Sequence, residues 1–244
     1  MLALSLVLAF SSKSPQYLAV GGLLIGCLEG HVWRGVEGVK PIKKTMPCQI
    51  LGLGKLQGTW IAFGVEKGEP NEALYFSGDH GADVYFSGTA TFPRPVKSVS
   101  ASNPTYVSAL ASFLRLHGVK TRPRLTQAVS VDLDGDGTQE VILTGQSRDD
   151  LLTNPQGAKT GDYSVVLLRA LRGGKVVTIP MLFDHPTRLD QLAYEDRMLA
   201  IADLDGDEAM ELVVKSSYYE GMSGSLFRYR RGRLAKLVEM GDGV

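Results

Sequence analysis

The sequence predicts a mainly β protein, made of antiparallel sheets and carrying one α-helix near residues 104–117. Three observations carry this reading. Glycine is abundant, at 28 residues, and the apolar runs are short and end in turn residues, as expected of strands joined by tight connections. One stretch shows an apolar stripe at helical spacing. From Leu125 onward, strand-length segments recur in two parallel series, each interrupted by a short acidic loop, which is the signature of a structural repeat.

The N-terminus carries an apolar run from Leu2 to Phe10, with Ala9 and Ser11 as small residues near its end. Residues 1–12 therefore read as a signal peptide, which places the mature chain outside the cytoplasm, secreted or in the cell envelope. An alternative lies further on. "LIGC", Leu24 to Cys27, resembles a lipoprotein box with Cys27 as the lipidated residue, while the surrounding "YLAVGGLLIG" equally reads as a strand and turn of the mature domain. If the chain is exported, Cys27 and Cys48 could close one disulfide. Two cysteines without a C-x-x-C pair do not make a zinc site.

Residues 13–124 read as an N-terminal β-rich region with one helix. "ALYFSGDHGADVYFSG", Ala73 to Gly88, carries "YFSG" twice around a turn sequence, which predicts a hairpin pairing Tyr75-Phe76 with Tyr85-Phe86. "FPRPVKSVS" reads as a proline-bearing linker. The helix follows: Asn103 caps it, Pro104 takes its first position and Gly118 stops it. Val107, Leu110, Ala111, Phe113 and Leu114 form its core-facing stripe.

Residues 125–244 read as two repeats. The first comprises strands at Leu125–Val131, Val141–Thr144, Tyr163–Leu171 and Val176–Leu182. The second comprises strands at Met198–Ala202, Leu212–Lys215, Leu226–Arg230 and Leu234–Glu239. Their acidic loops align Asp132 with Asp203, 71 residues on. The connection from Gly145 to Asp162 is longer in the first repeat.

Each acidic loop sits between two apolar strands. Lys plus Arg equals Asp plus Glu, 26 of each, so these clusters are local features and not part of an acidic background. Side chains at positions 1, 3 and 5 of such a loop converge on one point, position 7 supplies a backbone carbonyl, and a carboxylate at position 9 completes the shell. Hard oxygen ligands in that number suit Ca²⁺, which takes six to eight oxygens. The first loop offers Asp132, Asp134, Asp136, the Thr138 carbonyl and Glu140. The second offers Asp203, Asp205, Asp207, the Ala209 carbonyl and Glu211. Without a cation, like charges this close oppose the compact state. An EF-hand is excluded: it needs a glutamate at position 12 and flanking helices, whereas Leu143 and Val214 stand there and the flanks are strands.

The strand–loop–strand pattern D-x-D-x-D-G-x-x-[DE] resembles the FG-GAP/VCBS, integrin-α-type repeat. The resemblance covers two stretches of about 20 residues each, with weaker support across residues 125–244. It implies a β-propeller-like fold in which Ca²⁺ braces acidic loops of an exported protein, and it does not imply catalysis. Position 6 of the loop needs a left-handed backbone; the first loop has Gly137 there, the second Glu208. The chain is also shorter than a complete seven-bladed propeller requires.

The remaining motifs point nowhere more specific. A balanced charge gives no argument for nucleic-acid binding, and no apolar run of 18 or more follows the N-terminus to act as an integral span. The four histidines form no close metal pair; His80 lies between Asp79 and Asp83 in a turn. "GMSGS", Gly221 to Ser225, departs from a nucleophile elbow at its last position. The basic run "RYRRGR", Arg228 to Arg233, reads as a solvated face that balances the acidic loops. Tyr218 and Tyr219 are aromatics that could meet a glycan. The sequence thus predicts an exported calcium-binding β-repeat domain serving binding or scaffolding, with a protein or glycan as possible surface partner. Its rival is a calcium-dependent hydrolase of an extracellular polymer, using Asp79 and His80.

Overall fold

A computed structural model describes residues 14–68, 73–78, 81–153, 158–188 and 191–243. The expected signal peptide, residues 1–12, and the Asp79–His80 pair lie outside them. The described residues form three sheets and one α-helix; the antiparallel β class and the helix are as the sequence predicts.

Sheet one is a curled half-barrel made of β1 (Gln16–Val20), β2 (Leu23–Glu29), β3 (Val32–Arg34), β4 (Met46–Gly52), β5 (Lys55–Ala62), β6 (Val65–Lys67), β7 (Leu74–Phe76) and β8 (Val84–Phe86). The run "YLAVGGLLIG" is a strand, a turn and a strand, with Cys27 buried in β2. The strand order is β5-β4-β8-β1-β2-β7-β6. The expected β7–β8 hairpin therefore does not form, because the β1–β2 hairpin inserts between the two strands. Gly21 donates its amide to the Asp83 carbonyl at 2.7 Å, and Phe76 donates to the Gly22 carbonyl at 3.0 Å. Each short strand gains a neighbour on both edges, and Phe76 and Phe86 become fully buried, which a lone two-stranded hairpin could not achieve.

Cys27 and Cys48 are both buried free thiols, so the disulfide open to an exported chain is absent. Burial pushes the Cys48 thiol up to about 11, away from the thiolate form needed for reaction.

Sheet two contains β9 (Lys97–Ser98), β10 (Leu125–Val131), β11 (Glu140–Gln146), β12 (Ser164–Arg172) and β13 (Lys175–Asp184). The proline-bearing linker thus contributes an edge strand, β9, to this sheet. Between β9 and β10 runs α1 (Pro104–Leu116), capped as expected: the Asn103 side chain accepts from the Thr105 amide at 3.0 Å. The helix lays Leu110, Phe113 and Leu114 on Leu125, Val141, Leu143, Val165 and Leu167 of the sheet.

Sheet three is the meander β14 (Glu195–Ala202), β15 (Glu211–Tyr218), β16 (Gly221–Arg230) and β17 (Arg233–Gly243). It is the middle layer, and its residues alternate between two cores. Leu212 and Val214 join Val129, Ile142 and Leu168 of sheet two. Val213 and Leu226 join Leu18, Val20 and Ile25 of sheet one. That is why β15 is buried from Glu211 through Val214 instead of showing a polar face. The layers run sheet one, sheet three, sheet two, helix. Fully burying each such side chain contributes about 1.5–3 kcal/mol, and the acidic loops at the ends of β10 and β14 are anchored on these buried strands.

Candidate metal centre

Both acidic loops fold alike because their first and last carboxylates turn inward onto backbone amides. In the first, Asp132 accepts from the amides of Gly135 (2.7 Å) and Gly137 (3.0 Å), Asp136 from Thr138 (2.7 Å) and Glu140 from Leu133 (3.0 Å). In the second, Asp203 accepts from Gly206 (2.8 Å) and Glu208 (3.1 Å), Asp207 from Ala209 (2.9 Å) and Glu211 from Leu204 (2.9 Å). The four bonds correspond one to one. Position 6 is left-handed in both, with φ of 85° at Gly137 and 68° at Glu208, as the motif requires.

The carboxylates gather differently. In the first loop, oxygens of Asp132, Asp134 and Asp136 lie within 4.8 Å of one another; in the second, the group is Asp203, Asp205 and Glu211. Glu140 and Asp207 fall outside these groups, and Thr138 and Ala209 are held through their amides. One Asp134 oxygen takes the Arg231 amide at 2.7 Å, while the other is shielded from solvent and has no partner. Burial, joined by the charges of Asp134, Asp136 and Asp132, pushes Glu140 up to about 7. Among the described residues, no ion pair reaches any carboxylate of the first loop.

The second loop is charge-compensated. Arg228, whose strand pairs Glu211 with it in register, donates Nε to Glu211 at 2.7 Å and Nη2 to Asp205. Arg230 reaches Asp207 at 2.6 Å. Burial still pushes Glu211 up to about 8 and raises Asp205, against the opposing pull of Arg228. The "RYRRGR" run, expected as a solvated face balancing both acidic loops, pairs its side chains, among the described residues, with the second loop alone, and by direct, partly buried contact. Arg94, from the proline-bearing linker, was not legible as a site residue. Its Nε donates to the Asp132 carbonyl at 2.5 Å, and its Nη2 to the Leu133 carbonyl at 3.0 Å and to that of Glu208.

The other candidates make separate local contacts. His31, His117 and His185 each hydrogen-bond a backbone carbonyl, those of Asp205, Phe113 and Asp162. Tyr218 packs on Tyr194 with ring centroids 5.5 Å apart, and Tyr219 is exposed. In the long Gly145–Asp162 connection, buried Asp162 is bound by Arg148 at 3.0 Å. A cleft of about 840 Å³ runs beside the second loop, lined by Tyr17, His31, Lys44, Met46 and Leu204 among others. No helix of the described residues is long and apolar enough to cross a membrane.

No family model, curated protein or solved structure matches the chain.

Proposed function

We propose that this protein is an exported, calcium-binding β-repeat domain in which Ca²⁺ stabilises an acidic loop, in a role of binding or scaffolding. The observation that carries the reading is the contrast between the loops. Two loops with the same hydrogen-bonding frame sit at equivalent places in consecutive meanders, and among the described residues cationic side chains reach the carboxylates of the second and not of the first. The donor set fits the ion: Asp132, Asp134 and Asp136 converge, one Asp134 oxygen has no partner, and all are hard oxygens of the kind Ca²⁺ takes. Bound Ca²⁺ would supply positive charge to offset the mutual repulsion of these carboxylates. Asp132 and Glu140, already fixed on backbone amides, hold the loop's two ends together for it.

Face-to-face stacking of two four-stranded meanders is the way propeller blades pack, and supports the likeness to FG-GAP/VCBS repeats. Export to the medium or the cell envelope accords with the apolar run Leu2–Phe10. Equilibrium dialysis with radiolabelled Ca²⁺ tests the assignment. Ion binding by the native chain that is lost in Asp134→Ala and in Asp136→Ala supports it; native chain that takes up no ion refutes it.

A further inference from the structure

The second loop already contains a cation, covalently part of the chain. Arg228 places its guanidinium among the loop's carboxylates, with Nε 2.7 Å from Glu211, Nη2 on Asp205 and Nη1 3.7 Å from Asp207. The side chains of Glu211 and Asp205 are at most 1% exposed, and that of Arg228 is 20% exposed, so water screens these pairs little. A guanidinium keeps its charge at any working pH and offers a planar fork of donors suited to two carboxylates at once.

The twin position in the first repeat is different. There the register of Val141 with Arg169 sets Ala170 beside Glu140, as Arg228 stands beside Glu211. Ala170 is buried and has neither charge nor reach. Two loops with the same hydrogen-bonding frame thus differ at this cross-strand partner, an arginine against an alanine.

We propose that Arg228 is the resident cation of the second loop, standing where the first loop has room for a metal ion, so that the native second loop is closed to Ca²⁺. Arg230 adds a second positive charge at the loop's rim, on Asp207 at 2.6 Å. Asp203 needs no further partner, since the amides of Gly206 and Glu208 and the Thr91 hydroxyl hold it. The second loop then stays ordered without an ion and serves as the fixed half against which the first loop closes. The contrast with the first loop rests on the function proposed above; the role of Arg228 does not.

Equilibrium dialysis with Ca²⁺ on four proteins separates the two claims. The native chain is expected to bind one ion, Arg228→Gln two, Asp134→Ala none, and the double variant one. If the native chain binds none and Arg228→Gln binds one, the first-loop reading fails while the role of Arg228 stands. If the native chain binds two, or a folded Arg228→Gln gains none, the proposal is overturned. Should Arg228→Gln not fold, Asp205→Asn in the otherwise native chain decides. An equal fall in Tm with Ca²⁺ and with chelator supports the arginine as the loop's cation; a fall seen only with Ca²⁺ overturns it.

Discussion

Met210 donates its backbone amide to the carbonyl of Leu133 at 2.8 Å, and so ties the second acidic loop directly to the first. Arg94 reinforces the tie, spanning the carbonyls of Asp132, Leu133 and Glu208. The loops therefore form one junction between sheets two and three.

Arg94→Ala removes three charge-assisted donors from that junction. The expected cost is about 2 kcal/mol, read as a lower midpoint in urea unfolding. Arg94→Lys, which keeps the charge but not the fork, should recover only part of the loss. Equal stability of the alanine variant and the native chain would remove Arg94 from the account.

Glu208 holds a left-handed φ of 68°, where its twin is Gly137. Left-handed backbone costs a residue with a Cβ roughly 1–2 kcal/mol, and glycine's greater freedom in the unfolded chain offsets part of that. Glu208→Gly should therefore stabilise the protein by about 0.5–1 kcal/mol in denaturant titration, and Gly137→Glu should destabilise it by a similar amount.

Gly224 lies at a close approach of sheet three to sheet one. A Cβ there would stand 2.6 Å from the Ile25 Cγ2 and 2.9 Å from the Val20 Cγ2, both in the packed core. Gly224→Ala is expected to cost on the order of 1–3 kcal/mol. Gly58→Ala on β5, whose Cβ would meet nothing closer than 3.8 Å, is the control and should be close to neutral by thermal unfolding.

Asp184 and Asp196 sit close together where sheets two and three meet. Burial, then the charge of Asp196, pushes Asp184 up to about 6. Asp196 is raised as well, by burial above all; it is fully buried, and one of its oxygens has no partner. A carboxyl raised on folding binds its proton more tightly in the folded state, so its ionisation weakens the fold. Stability should fall as pH rises from about 4 to about 6, by on the order of 2 kcal/mol for Asp184. Asp184→Asn should flatten that part of the pH profile, measured against the native chain by urea unfolding at each pH. A native profile that rises across the window would contradict this.

Much of the antiparallel β architecture was legible in the sequence. The β10 boundaries, the cap at Asn103 and the left-handed sixth position all follow from local chemistry: apolar runs, an amide-accepting side chain, a tight loop with carboxylates at odd spacing. What failed depends on partners distant in sequence. Three-residue strands such as β7 and β8 carry too little pattern to say which neighbour they choose, and the glycine turn of the β1–β2 hairpin came between them. Arg228 was visible as one residue of a basic run, but its role needs the register that sets it beside Glu211. Arg94 stood between two prolines in what reads as a linker. The two cysteines are close enough in sequence to pair, yet β2 and β4 are not neighbours in the sheet.

The most direct test of the central claim is thermal unfolding of the native chain and of Asp134→Ala with Ca²⁺, with Mg²⁺ and with chelator. An ion held only by the folded state, at about 100 times its Kd, adds roughly 2.7 kcal/mol. In a chain of this size that raises Tm by on the order of 5–10 °C. The account predicts such a rise with Ca²⁺, a smaller one with Mg²⁺, and loss of most of the gain in Asp134→Ala. A midpoint that neither ion nor chelator moves would contradict it, and would leave the first loop as a solvated acidic turn.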